Sequence, residues 1–151
     1  MQHVMVVLDE NEKPVAEPFE VNLWTDDRLV MWMMNAPGWQ WSNLPPPNGA
    51  GPNQAVFIDP NSDWFKQGGS QPQPVGPLVA GLPDTRPYAA MGPAPATEKT
   101  TYLYDMWALP IPIGDITDQV KAVKVKKKLP KGVPSVGDPI DPDISNQPHP
   151  P

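Results

Sequence analysis

Proline limits this chain more than any other residue. Twenty-four prolines and 11 glycines are spread through 151 residues. Each interior proline deletes a helix donor and clashes with the preceding turn. Long helices and helix bundles are therefore disfavoured, and short extended segments between turns become the natural building unit. The chain is nonetheless rich in large apolar side chains, with 6 Trp, 7 Met, 3 Phe and 3 Tyr. That supply is enough to offset the entropy of ordering one domain of ordinary size.

The absence of cysteine removes several chemistries at once. No disulfide scaffold, thiolate zinc site, iron–sulfur cluster or cysteine nucleophile can be built. His3 and His149 are the only imidazoles and stand at opposite ends of the sequence, so a multi-histidine metal centre within one subunit is excluded as well. The opening Met1-Gln2-His3-Val4-Met5 has no basic segment and too short an apolar run for a signal peptide. The longest apolar run, Leu29 to Met34, cannot span a bilayer. The expectation is a cytoplasmic protein without a membrane partner.

The formal charge of −6 hides an uneven distribution. Lys121, Lys124, Lys126, Lys127, Lys128 and Lys131 fall in a segment without an acid, leaving a strongly acidic remainder. Such a body repels nucleic acid, whose recognition calls for a broader basic face. The lysine strip is either a solvated edge or an attractor for an acidic neighbour, including a second copy of the chain.

Hydrophobic alternation predicts strands over His3 to Leu8, Pro18 to Trp24 and Gln54 to Ile58, with a charged turn at residues 9–14. Arg28 to Met34 is apolar on both parities, which suits a central strand covered on both faces. Trp39-Gln40-Trp41 reads as extended. Residues 67–97 form a long irregular excursion in which Leu78, Val79, Leu82, Tyr88 and Met91 are the expected anchors. Thr100 to Leu109 predicts one strand ended by Pro110, with Tyr102, Tyr104 and Met106 on one face. Within a Lys-rich insertion at 110–139, residues 118–128 read as a short helix or a strand, and the β-branched Val120, Val123 and Val125 favour a strand whose lysines guard its edge. From Gly137 onward, repeated Asp-Pro leads into a Pro-rich tail at 147–151.

The expected fold is all-β: a small antiparallel β-sandwich over residues 1–146, with long Pro-rich loops and an extended C-terminal arm. Its core candidates are Trp24, Trp32, Phe57, Leu103 and Trp107. Tyr102-Leu103-Tyr104 and the ending Asp141-Pro142-Asp143-Ile144-x-Asn146, supported by Glu17-Pro18 and Asp59-Pro60, resemble the bacterial DP-EP family. That resemblance implies a sandwich of cupredoxin-like or immunoglobulin-like outline and implies no activity. Copper electron transfer is excluded, because the chain lacks a thiol and a pair of neighbouring histidines.

No motif singles out a catalytic group, and no cofactor is expected. Asp59-Pro60-Asn61-Ser62-Asp63 opens like a calcium loop. It then has Trp64 where glycine is needed and Ser70 where a bidentate glutamate belongs. The alternative is an Asx turn capped by Asp59 or Asn61. Asp138, Asp141 and Asp143 pose the same choice. A paired-carboxylate glycosidase or a serine hydrolase finds no support in spacing. Trp39, Trp41 and Trp64 have three readings: core packing, a protein contact or a sugar platform. The functional expectation is a non-enzymatic interaction or structural protein that self-associates through its Pro-rich arm and an aromatic edge. Lys124, Lys126, Lys127, Lys128, Ile140 and Ile144 are its candidate contacts. The alternative is a carbohydrate- or peptide-binding module built on exposed tryptophans.

Overall fold

A computed structural model describes residues 1–18, 20–23, 28–42, 55–94, 98–112, 122–128 and 142–146. The fold is all-β, with one turn of helix among the described residues. In chain order the elements are β1 (Gln2–Leu8), β2 (Pro14–Glu17), β3 (Glu20–Leu23), β4 (Leu29–Met34), β5 (Trp39–Trp41) and β6 (Val56–Phe57). They continue as α1 (Asp63–Lys66), β7 (Gln73–Pro74), β8 (Tyr88–Met91), β9 (Thr100–Leu103), β10 (Asp105–Pro110), β11 (Val123–Lys124), β12 (Lys126–Lys127) and β13 (Asp143–Asn146). Three sheets result. The largest has the order β12-β2-β1-β4-β8-β7, the second places β10 between β11 and β5 with β6 also paired to β10, and the third is β3-β13-β9.

The period of two explains the first sheet. Val4 and Val6 of β1 are fully buried while His3 and Met5 face outward. Val30, Trp32 and Met34 of β4 face the core, and the alternate Leu29, Met31 and Met33 are half-buried, as suits a strand between two neighbours. Between β1 and β2 the Asp9 carboxylate accepts the N–H groups of Asn11 and Lys13 at 2.8 and 2.9 Å, and Glu12 takes a left-handed φ of 59°. The expected turn ends one residue early, at Lys13, and Pro14 opens β2.

Two of the three sheets are mixed, where antiparallel pairing was expected, and only the second is antiparallel throughout its described strands. β1 runs parallel to β4, β12 to β2 and β13 to β3. The cause is connectivity: β2 and β3 carry the chain across, so β4 returns beside β1 in the same direction, a crossover more often made by a helix.

The expected strand over residues 100–109 breaks at Tyr104, with β9 and β10 entering different sheets. Its facial alternation survives the break. Tyr102, Tyr104 and Met106 are buried, which puts Leu103 at 44% exposure and leaves Trp107 half-buried. Neither belongs to the core assigned to it, because the tyrosine face already supplies the aromatic packing. Tyr102 meets Trp64 edge-on at 5.4 Å and Tyr104 meets Trp32 at 5.6 Å. Of the remaining core candidates, Trp32 is fully buried, Phe57 is half-buried, and Trp24 lies outside the described residues.

Two later segments do more than their composition suggested. Residues 122–128 pair with β10 through β11 and with β2 through β12, so Val125, fully buried between them, marks a crossing from one sheet to another. Among the described strands β12 stands at the sheet's edge, as the lysines predict. The Asp-Pro ending, to which no strand was assigned, contains β13, which is bonded on one side to β3 and on the other to β9. Ile144, a candidate oligomer contact, is instead fully buried at the centre of that sheet.

Burial pushes all three tyrosines above the ordinary phenol range. Loss of solvent is the largest cause at each. At Tyr104, the facing Trp32 indole lowers the value and Asp143 raises it. A phenol whose pKa is higher folded than unfolded holds its proton longer in the native state. Stability is therefore intact below about pH 10 and falls as pH climbs through the tyrosine range, by at most about 1.4 kcal/mol per pH unit for each group. Urea midpoints measured from pH 8 to 11.5 are expected to show this decline. Tyr104→Phe is expected to make it shallower, and an unchanged slope would contradict the assignment.

Candidate functional site

The excursion at 67–94 is closed at its base by backbone and side-chain bonds. Gly92 N–H donates to the Arg28 carbonyl and Ala94 N–H to that of Gln67, both at 2.6 Å. The Arg28 guanidinium donates to the carbonyls of Gly92, Pro93 and Gly68. One arginine thus ties both ends of the excursion to the start of β4. Five donors in a planar fork make arginine suited to gathering several carbonyls.

Beyond this base rises a second loop, residues 75–87, with a polar stem. Asp84 and Arg86 form a two-point ion pair at 2.9 and 3.0 Å, and Arg86 also donates to the Gly76 carbonyl at 3.0 Å. β5 supplies the other wall. Asp84 N–H donates to Gln40 Oε1, Trp41 N–H to the Asp84 carbonyl, and Trp41 Nε1 to the Arg86 carbonyl at 2.6 Å. Trp41 also meets Tyr88 edge-on at 5.3 Å. Hydrogen bonding to Asp84 holds the Arg86 guanidinium above its ordinary pKa. Tyr88 is raised by burial and by Asp84, with Arg86 opposing.

The tip is the opposite in character. Val75, Leu78, Val79 and Leu82 are 48%, 55%, 55% and 62% exposed. They belong to an uncharged run from Gln67 to Pro83. A turn bond from Leu82 N–H to the Val79 carbonyl and one from Val75 N–H to that of Pro87 hold them in place. The arrangement is an apolar tip on a hydrogen-bonded stem, and its chemistry is that of contact, without an acid, base or nucleophile on it.

This inverts part of the sequence reading. Leu78, Val79, Leu82, Tyr88 and Met91 were expected to anchor the excursion, and of these five only Tyr88 is buried. Glycines 76 and 81 and prolines 77 and 83 prevent the period of two that would turn the apolar residues toward one face. The uncharged run was the available signal.

The three tryptophans are placed differently from one another. Trp41 and Trp64 are 1% and 0% exposed, so neither offers a ring face at the surface, and their indole N–H groups are bonded internally. Trp39 is half-buried against the core on β5. At the opening of the calcium-like sequence, Asp59 Oδ1 accepts the Asn61 N–H at 2.9 Å, the Asx turn weighed as the alternative. The chain then turns into α1.

Among the lysines, Lys124 pairs with Asp105 at 3.0 Å, Lys127 with Asp143 at 3.9 Å and Lys128 with Glu17 at 3.8 Å, while Lys126 is exposed. Ile140, Asp138, Asp141 and the tail at 147–151 lie outside the described residues. Among the described residues no group of three or more His, Asp or Glu is placed to hold a metal ion, and no helix is long and apolar enough to cross a membrane. No protein-family model, curated protein or solved structure matches this chain.

Proposed function

We propose that the protein is a non-enzymatic interaction module that self-associates, using the apolar tip at residues 75–82 and the neighbouring edge strand that carries Trp39. One observation carries this reading: four large apolar side chains stand about half exposed on a loop whose stem is already fixed. A surface ordered before contact loses little conformational entropy on docking, so its apolar area converts efficiently into affinity. Isolated exposed leucines are ordinary, but a contiguous group on a built loop marks a contact site. The enclosure of Trp41 and Trp64 weighs against the carbohydrate-binding alternative, which needs open ring faces.

Sedimentation equilibrium over a concentration series tests the proposal. The wild-type chain is expected to form oligomers. Leu78→Ser combined with Leu82→Ser is expected to weaken association about tenfold or more while leaving the unfolding midpoint nearly unchanged, because these side chains contribute little to the core. A chain that stays monomeric across the whole series, at low and at high salt, removes the reading.

A further inference from the structure

At the opposite edge of the six-stranded sheet from the tip, a groove of about 720 Å³ lies between the β1–β2 turn and β12. Leu8 and Val15 contribute its apolar surface, Asp9 and Glu10 one rim, and Lys126 to Lys128 the other. The two rims carry opposite charge. Lys127 and Lys128 are engaged by Asp143 and Glu17, and the Asp9 carboxylate is taken up by the Asn11 and Lys13 N–H groups. Lys126 and Glu10 are exposed and form no ion pair among the described residues. The turn that presents Glu10 is held by those bonds to Asp9 and by the left-handed Glu12.

We infer that this groove is a two-fold contact between copies of the chain, in which Glu10 of each copy meets Lys126 of the other over Leu8 and Val15. The inference rests on the self-association proposed above and adds to the tip a second surface for it. A two-fold interface requires one patch that complements itself, each residue meeting a different residue of the same patch. Charges of both signs on facing rims, without an ion-pair partner among the described residues, stand across an apolar floor and satisfy that requirement. A groove for an unrelated acidic protein would need only the lysines. The sheet edge itself is not extended in this contact, since β12 is two residues long and its lysines discourage strand addition.

Charge exchange provides the test, read by sedimentation at low ionic strength. Glu10→Lys alone and Lys126→Glu alone are each expected to weaken association about tenfold or more, because like charges then oppose across both halves of the contact. Mixing the two variants restores both pairs, as does combining them in one chain. Each of these preparations is therefore expected to return toward wild-type association, and added salt to erase the differences. Both positions are exposed, so circular dichroism and melting should match the wild type. If the wild type associates and the single variants associate equally well, the groove assignment falls and self-association stands. If the single variants weaken but neither mixing nor the double exchange restores association, the two-fold pairing falls. A wild-type monomer under all conditions removes both.

Discussion

Trp64→Ala is expected to lower the free energy of unfolding by about 3–5 kcal/mol, the loss typical of deleting a large aromatic from a packed interior. The ring is fully buried, meets Tyr102 edge-on, and donates its N–H to the Ser70 carbonyl at 3.0 Å. Gly69 lies so close that an added Cβ would stand 2.7 Å from the Trp64 carbonyl oxygen, which leaves the backbone little room to settle into the void. Trp64→Phe keeps most of the apolar area and strands the Ser70 carbonyl, so a smaller loss of about 1–2 kcal/mol is expected. Urea denaturation with an unchanged slope is the measurement. A loss below about 1 kcal/mol for the alanine variant would mean that the ring is not enclosed, and a surface role for it would return.

The second large effect is expected at Asp84. Its side chain is 11% exposed and that of Arg86 22%. Asp84→Ala removes one partner of a mostly buried pair and leaves the guanidinium with the Gly76 carbonyl alone. Breaking a fully buried pair costs about 3–5 kcal/mol, and partial solvent access reduces that here to about 2 kcal/mol. The more telling consequence is local. Amide hydrogen exchange at Val75 and Leu82 is expected to accelerate, and self-association to weaken, as the tip loses its support. Removing both charges by pairing Asp84→Ala with Arg86→Met is expected to recover stability better than the single change, since no charge is then left unpaired. Unaltered exchange in the single variant would show that β5 alone holds the stem.

β1, β3, β4, β5 and β6 were legible because alternation or a continuous apolar run is a local property, visible without knowing the partner strand. The face bearing Tyr102, Tyr104 and Met106 was legible for the same reason, although the break at Tyr104 was not. That break depends on which sheet each half joins, a question settled by distant strands. β8 and β13 were hidden among prolines and glycines whose usual meaning is a turn, and their pairing comes wholly from remote residues. At the proposed contact surfaces, Trp39 and the lysine strip carried signals of type alone. The exposure of Leu78, Val79 and Leu82 did not, because an apolar residue in a loop reads equally as an anchor or as a surface until the stem beneath it is seen.

The placement of β13 also constrains how the molecule comes into being. Among the described strands, β3 has β13 as its sole ladder neighbour, and Glu20 is aligned with Asp143. A ribosome that has just released residues 20–23 must add roughly 120 more before that neighbour exists, which at about 5–20 residues per second is a wait of several seconds or longer. Through that interval Val21 and Leu23 of the nascent chain have no ladder partner among the described strands, so the third sheet is assembled only after the described strands of the other two have been translated.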